Sequence, residues 1–417
     1  MTGTLLATGG APRTDLVGTL GDWAVRITGL SGWKSGLAYL GAMVVVAALL
    51  LAFVALFAGP VTWVERRVAG RMQSRIGPNR VGPHGFLQWL ADGLKNLLKE
   101  DLVPREADPV LFRLAPYFVW AGMFGTFAVL PFSAAWIAAD ASIGILYVMA
   151  ITALVVVGLI MGGWASNSKW SLLGGMRSAA QIVSYEIPTA LAILCPVLVA
   201  GSLSTQDIIR AQGGWPWQWF AFHDPFCLAA LVVFFIASLA EGNRTPFDIP
   251  EAESELVSGY NTEYSGFRFL AFLFAEWANL WIMGAVATLA FLGGWQLPGV
   301  PADVQAASIL LNVAGMAVFV GKTSVLVLVI IHLRWTLPRI RVDQMMNICW
   351  KYLVPISFVC LLGAAGWMLV ARKLPRAGVA ASVALSIAGA ALVLSLFVRA
   401  RWNRLRMGAA AYWKQLT

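Results

Sequence analysis

Runs of about 20 apolar residues recur along the whole chain, and they restrict the fold more than any other feature. A helix of about 20 apolar residues spans a bilayer while bonding its own backbone polar groups. Spanning helices are therefore predicted near 38–62, 110–132, 143–165, 179–201, 226–241, 268–293, 308–333, 352–371 and 378–398. The fifth run is short, and we expect its helix to extend a few residues to either side. The sequence predicts an all-α integral membrane protein.

Composition and charge agree with a lipid environment. The chain is 59% hydrophobic and 12% charged, whereas soluble domains carry about 25% charged residues. With the N-terminus outside, the inner segments hold 22 of the 30 Lys and Arg residues, as the positive-inside rule requires. The main polar loops are therefore predicted to be cytoplasmic. Arg372, Lys373 and Arg376 are the exception, because they would lie outside.

The region between the first two runs is basic and then amphipathic. Residues 65–85 read as a turn-rich basic loop, explained mostly by topology, which could also hold a lipid headgroup or frame an entrance for an apolar substrate. The following segment, HGFLQWLADGLKNLLKED, has leucines at helical spacing: Leu87, Leu90, Leu94, Leu97 and Leu98. This spacing predicts an interfacial amphipathic helix, for which a plain membrane anchor is the alternative function.

Three charged residues fall deep inside predicted spans, well away from their ends: Glu186, Glu276 and Lys322. A charge at the bilayer centre costs about 2.5–3.5 kcal/mol on the mildest scale, so each must face protein, water or a partner. A proton or ion pathway is one explanation, and a buried ion pair of Lys322 with Glu276 or Glu186 is the other. Pro188 and Pro196 favour a helix that lines a hydrated cavity, although simple kinks are common.

Residues 240–264 hold six of the 21 acidic residues of the chain. Asp248 is a plausible helix N-cap, with Pro250 and Glu251 in the first turn. Glu251 and Glu255 would then share one face at i, i+4, where like charges repel. A solvated loop tolerates such repulsion. However, the stretch lies on the inner side, against the cationic bias there, and we expect its acids to serve a purpose other than topology.

Bound cofactors are not expected in this chain. The four cysteines form no CxxC pair, and the three histidines are far apart. No GxGxxG pattern occurs, so nucleotide binding has no support. Neither a metal site nor a catalytic residue is predicted.

Four polar segments together resemble one family. They are ERR…GR.Q.R.GPNRVGP.G.LQ..AD..K...KE, GGMRSAAQIVSYEIP, AEGNRTPFDIPEAESELVSGYNTEYSG…AEW and LRWTLPRIRVDQMMNICWK, spanning about 65 to 360. They are similar to the inner loops of one membrane subunit of NADH-quinone oxidoreductase (respiratory complex I), the NADH dehydrogenase subunit 1 family. The third segment is the most specific, because long polar motifs seldom recur by chance.

The resemblance implies eight tilted spanning helices around part of a quinone chamber, in a bacterial inner membrane. We divide the chain into an N-terminal extension (1–35), a quinone-chamber membrane domain (36–371) and a C-terminal extension (372–417) with a ninth helix and a basic tail. The implied partners are peripheral quinone-site and iron–sulfur subunits, small membrane subunits and an antiporter-like membrane arm. Quinone would be the substrate, with FMN and iron–sulfur clusters in partner subunits.

The resemblance also implies roles for individual residues. The expected quinone-chamber residues are Glu65, Arg66, Arg75, Asp92, Arg334, Arg339, Arg341 and Asp343. The expected proton-route residues are Arg177, Tyr185, Glu186, Glu241, Arg244, Asp248, Glu251, Glu253, Glu255, Glu263 and Glu276. Lys322 is added to this route because of its position within a span.

Three other functions compete with a proton-pumping quinone enzyme subunit. The equivalent subunit of a membrane-bound hydrogenase would share ancestry without binding quinone, but the full basic and acidic loops favour the quinone enzyme. A stand-alone ion carrier would be expected to show an inverted repeat, which is not evident. A passive scaffold does not account for three charges within spans.

Overall fold

The fold is built from α-helices. A computed structural model describes residues 15–28, 33–373 and 384, and these residues include no β-strand. The α-helices are α1 (Leu16–Thr28), α2 (Trp33–Met72), α3 (Gln88–Leu98), α4 (Pro109–Phe127), α5 (Gly144–Ala165), α6 (Lys169–Ala200), α7 (Thr205–Arg210), α8 (Phe220–His223), α9 (Pro225–Glu241), α10 (Glu253–Leu256), α11 (Gly266–Phe291), α12 (Ala302–Ala307), α13 (Ile309–Thr336), α14 (Val342–Asn347) and α15 (Val354–Lys373). A π-helical stretch, Ile348–Leu353, joins the last two.

The predicted all-α membrane architecture is confirmed. Within the described residues, seven helical stretches are long and apolar enough to span a membrane. They are α2, α4, α5, α6, α11, α13 and the continuous stretch Val342–Leu369. The predicted ninth helix, at 378–398, lies outside the described residues.

The fifth predicted span, α9, has only 17 residues. The expected extension to either side is wrong. The Asp224 carboxylate accepts a hydrogen bond from the Cys227 backbone N–H at 2.6 Å, and Pro225 occupies the first helical position. This cap fixes the start of the helix. The other end is capped at Gly242, whose N–H donates back to the Ser238 carbonyl at 2.9 Å.

Two spanning helices begin or end about ten residues beyond their apolar runs. α2 continues to Met72, so Arg66, Arg67 and Arg71 are helical, and the prediction of a loop from residue 65 is wrong for its first part. α6 begins at Lys169 rather than at 179. Glu, Arg, Lys and Met form helices well. The charged residues therefore interrupt the apolar run in the sequence, but the helix continues through them.

The helix ends define two sides of the molecule. Segments 73–108, 166–168, 242–265 and 337–341 meet on one side, here called the loop side. They are linked by hydrogen bonds such as Asn167 Nδ2 to the Glu106 carbonyl (3.0 Å) and Leu102 N to Ser265 Oγ (3.3 Å). Segments 128–143, 201–224 and 292–308 meet at the opposite side. There, the Gln206 amide donates to the Ser133 carbonyl at 3.2 Å.

The helix α11 is the centre of the packing. It contacts α2, α3, α4, α9 and α13. Every residue from Ala278 to Phe291 is buried, so the half of α11 toward the opposite side is enclosed on all faces by protein. Trp281 stacks with Phe127 and Phe132 at ring-centroid distances of 5.4 and 5.5 Å. An apolar helix that is buried all round is a core helix rather than one facing lipid.

The prolines of α6 leave the helix continuous through residue 200. Pro188 cannot donate to the Ser184 carbonyl one turn earlier. The thiol of Cys349 donates to this carbonyl instead, at 3.1 Å. Protein therefore satisfies the group that Pro188 frees, as a membrane helix requires.

The predicted amphipathic helix is confirmed as α3. Its leucines face away from the protein, from Leu87 at 40% exposed to Leu98 at 86% exposed. The helix nevertheless contacts both α2 and α11. Asp101, just beyond its end, pairs with Arg268 of α11 at 3.2 Å. α3 thus presents an apolar stripe outward while its polar face closes against the protein.

Gln181 of α6 generates a stability prediction. Its fully buried amide Nε2 lies 2.7 Å from the Ala240 carbonyl and 2.8 Å from the Phe247 carbonyl. Each carbonyl also accepts from a backbone N–H, of Asn243 and of Ile249, so Gln181→Leu would remove one of two hydrogen bonds from each, at a cost of about 0.5–1.5 kcal/mol per bond. We expect a clearly lower thermal denaturation temperature of the purified assembly. Gln218→Leu, at an exposed glutamine, serves as the control. Equal melting temperatures for the two variants would contradict the prediction.

Candidate functional site

A cavity of about 530 Å³ opens on the loop side, between α2, α3, α11 and α13. Apolar and aromatic residues form much of its wall, among them Trp89, Phe274 and Trp277. Five of the eight predicted chamber residues line it: Glu65, Arg66, Arg75, Asp92 and Arg334. Three of the predicted route residues line it as well: Arg244, Glu251 and Glu276. The cavity thus brings together residues of the predicted quinone chamber and of the predicted proton route.

Ion pairs tie the walls of this cavity together. Arg334 of α13 donates to Glu65 of α2 at 2.6 Å, and the Glu65 side chain is only 7% exposed. Arg66, the next residue of α2, pairs with Asp92 of α3. Both pairs depend on the helical continuation of α2 past residue 62. The adjacent residues Glu65 and Arg66 therefore connect α2 to two other helices, α13 and α3.

Arg244 is the buried cation of the cavity. Its side chain is 5% exposed, lies 4.8 Å from the Trp277 ring centroid and places Nη2 3.9 Å from Glu276 Oε2. Among the described residues, no acceptor lies within hydrogen-bond distance of its Nε or Nη2. A buried guanidinium needs a charge partner. Here Glu276 supplies the charge and Trp277 supplies a cation–π contact.

Two carboxylates meet at one tyrosine hydroxyl. The hydroxyl of Tyr260 lies 3.1 Å from Glu251 Oε1 and 3.3 Å from Glu276 Oε1. The Asn261 amide also donates to Glu251 at 3.0 Å. A tyrosine has a single hydroxyl proton, so it can donate to only one of the two carboxylates at a time. The arrangement can therefore hold one further proton between the two glutamates.

The protonation of this bridge follows from its burial. Burial raises the pKa of Glu251 well above its usual value, and the neighbouring charge of Glu276 raises it further. Burial also raises the pKa of Asp248, although the charge of Arg339 opposes the change. Both carboxyls therefore favour the protonated form more than a solvated carboxyl does.

Glu276 also lines a second, smaller cavity of about 20 Å³. Tyr260, Asn279 and Glu241 lie in the same wall. A space of this size is about enough for a single water molecule, with polar groups on several sides. The charge of Glu186 acts on Glu241. Of the predicted route residues, Glu251 and Glu276 therefore share the Tyr260 hydroxyl, and Glu276 and Glu241 share the small cavity.

Other predicted residues lie at the edge of this arrangement. Arg177 pairs with Glu255 at 2.6 Å, and the Tyr185 hydroxyl donates to the Met345 carbonyl at 2.9 Å. Arg339 pairs with Asp248 at 3.3 Å. A separate cavity of about 450 Å³ is lined by the route candidate Glu255 and by the chamber candidates Arg339, Arg341 and Asp343. These three chamber candidates do not line the large cavity. Glu263 lines none of these three cavities, and the side chain of Glu253 lies outside the described part.

Two local predictions in the acidic stretch are wrong. Asp248 is not a helix N-cap, because the next helix, α10, begins at Glu253. Glu251 precedes that helix and does not share a helical face with Glu255. Asp248 pairs with Arg339 and Glu251 bonds Tyr260, so tertiary contacts replace the expected capping.

The ion pair considered for Lys322 is also wrong. Its ammonium donates to the carbonyls of Leu292 and Gly294, at 2.7 and 3.1 Å. No ion pair found among the described residues includes it. A helix C-terminus carries partial negative charge, so backbone carbonyls supply what a glutamate was expected to supply.

Sequence reasoning missed the roles of Tyr260 and Asn279. Tyr260 was part of the specific motif SGYNTEY, but no chemical role was assigned to it. Its burial between two acids depends on a tertiary fold, and its neutral side chain gives no charge signal. Asn279 follows Glu276 by three residues and so shares its face of α11. That spacing was the available signal.

Comparisons with known proteins agree on one family. The model of the NADH dehydrogenase family matches residues 43–365. A protein of Anaeromyxobacter dehalogenans, named as the H subunit of NADH-quinone oxidoreductase, is 54% identical over 368 residues, which are 84% of this chain and 89% of the relative. Relatives of the same name are 45% identical in Chlorobaculum parvum (84% of this chain, 98% of the relative) and 46% identical in Geobacillus kaustophilus (79% and 93%).

The raised pKa of Glu251 gives a spectroscopic prediction. The folded state holds a proton here that the unfolded state releases near the ordinary carboxyl pKa, so this proton's contribution to stability is lost as pH rises through the raised value. Infrared titration of the purified assembly should show a protonated carboxyl band that persists above the ordinary range. Glu251→Gln should remove the part of the band that comes from Glu251, whereas Glu106→Gln, at an exposed glutamate, should leave the whole band unchanged. Disappearance of the band near the ordinary pKa would contradict the assignment.

Proposed function

The chain belongs to the NADH dehydrogenase family, as a membrane subunit of proton-translocating NADH-quinone oxidoreductase, and we propose that its charged cavity forms part of the quinone chamber. The main support for this proposal is that Glu276 lines both the large cavity and the small inner one. The proposed activity is to couple quinone reduction in the large cavity to proton movement through the glutamates beyond it.

The large cavity suits a quinone by its chemistry. Its volume is within the ordinary range of small-molecule sites, about 300–1,000 Å³, and its wall combines aromatic surface with a few charged groups. Reduction of a quinone to a quinol takes two electrons and two protons. The electrons come, in this proposal, from an iron–sulfur cluster of a partner subunit. This chain contributes the apolar wall of the cavity and the charged groups that respond when the charge of the quinone changes.

The proton route begins at the Tyr260 bridge. One proton shared by Glu251 and Glu276 can pass to the small cavity because Glu276 faces both spaces. Glu241 lines the same cavity, and the charge of Glu186 acts on its carboxyl. A charge change in the large cavity alters which glutamate holds the proton, since neighbouring carboxylates oppose each other's ionisation.

The assembly and orientation follow the same proposal. The loop side would face the cytoplasm and contact the peripheral quinone-site and iron–sulfur subunits. The face near Glu186 would lead toward small membrane subunits and the antiporter-like arm. FMN would be held by a peripheral partner. The names of the relatives favour this enzyme over the related hydrogenase.

Glu186→Gln tests the route. The substitution keeps the size of the side chain and removes its ability to ionise, so the assembled complex should lose proton pumping and coupled quinone reductase activity. Both are measured in proteoliposomes with NADH and a short-chain quinone. Glu106→Gln, at an exposed loop position, should behave as the wild type. Wild-type turnover and pumping in Glu186→Gln would remove it from the route.

Arg66→Ala tests the chamber wall. The change removes the partner of Asp92 and one charged group of the cavity, so we expect the apparent KM for a short-chain quinone to rise by about tenfold, the equivalent of about 1.4 kcal/mol. Arg71→Ala, five residues further along α2 at an exposed position outside the cavity lining, is the matched control. An unchanged KM in Arg66→Ala would contradict a chamber-lining position.

A further inference from the structure

The charged route ends abruptly inside the protein. Beyond Asn279, the remaining turns of α11 from Leu280 to Phe291 contain no ionisable residue. The Thr288 hydroxyl in this segment is occupied, donating to the Gly284 carbonyl at 2.8 Å. Twelve helical residues correspond to about 18 Å. All of them are buried, so this half of α11 forms an apolar layer between the glutamates and the opposite side.

Lys322 lies at the far end of that layer. Its ammonium donates to the carbonyls of Leu292 and Gly294, directly after the last turn of α11. The ring of Trp219 covers it, with its centroid 4.5 Å from Nζ. These contacts hold the cation, and no ion pair within the described part of the chain includes it.

The backbone around the ammonium is shaped for this contact. Gly293 and Gly294 have φ of +75° and +50°, and a Cβ on Gly293 would lie 2.7 Å from the Trp219 ring. The Gln212 side chain holds the same turn, since its Oε1 accepts from Gly293 N at 2.9 Å and its Nε2 donates to the Leu289 carbonyl at 2.9 Å. The turn is therefore held by the Gln212 amide as well as by Lys322.

We propose that Lys322 provides a positive charge that closes the opposite side of the α11 layer to protons. A proton entering this layer from the opposite side meets a cation that no carboxylate among the described residues neutralises. Positive groups exclude protons from other membrane pores in the same way. Lys322 therefore acts as a barrier and does not relay protons. The inference rests on the proposed proton route, because a pump needs one end of its route closed against leakage.

The test separates charge from hydrogen bonding. Lys322→Gln keeps an amide donor for the two carbonyls but is neutral, whereas Lys322→Arg keeps the charge. The whole assembly is reconstituted into vesicles, a pH gradient is imposed without NADH or quinone, and its decay is followed. Lys169→Met, at an exposed lysine, controls for the loss of a lysine. Because no turnover occurs, the result is independent of whether quinone binds in the large cavity.

We expect the gradient to decay about tenfold faster with Lys322→Gln, since a unit charge about 10 Å away at an effective dielectric of about 20 changes a barrier by about that factor. Lys322→Arg and Lys169→Met should match the wild type. An assembled Lys322→Gln complex with wild-type decay would overturn the barrier. Failure of Lys322→Gln to assemble, with Lys322→Arg assembling, would also overturn it, because the charge would then serve folding.

Discussion

A charge inside a membrane protein must find its partner within the protein, and this constraint organises the chain. The Arg334–Glu65 pair, the contact of Arg244 with Glu276 and the carbonyl contacts of Lys322 each satisfy it in a different way. Because partners come from distant segments, every such contact also fixes the position of a helix. The contacts that stabilise the buried charges are therefore the same contacts that hold the helices together.

The central helix α11 divides into two halves of different character. Its half toward the loop side carries Glu276 and Trp277 in the wall of the large cavity. Its other half is enclosed and apolar, and ends at the turn that Lys322 binds. One continuous helix thus contains a charged region and an insulating region. The boundary between them lies near Asn279, within a single turn of Glu276.

The sequence predicted what depends on local pattern and long polar motifs. It predicted most of the spanning helices, the amphipathic helix α3 and many acids of the candidate site. It failed where tertiary contacts outweigh local rules: Asp248 pairs with Arg339 rather than capping a helix, and Lys322 binds carbonyls rather than an acid. The end of an apolar run also predicts where a helix leaves the apolar part of the membrane, and the helix itself can continue further. For this reason the charged continuation of α2 was not predicted.

The position of Glu276 on a stiff helix has a mechanical consequence. Residues 276 and 277 face the large cavity, while 275, 276 and 279 face the small one. A rigid helix cannot turn one of these faces without turning the other. An occupant that shifts α11 at the large cavity therefore changes the shape of the small cavity at once, with no hinge or loop between them. The large and the small cavity therefore have α11 as a common wall.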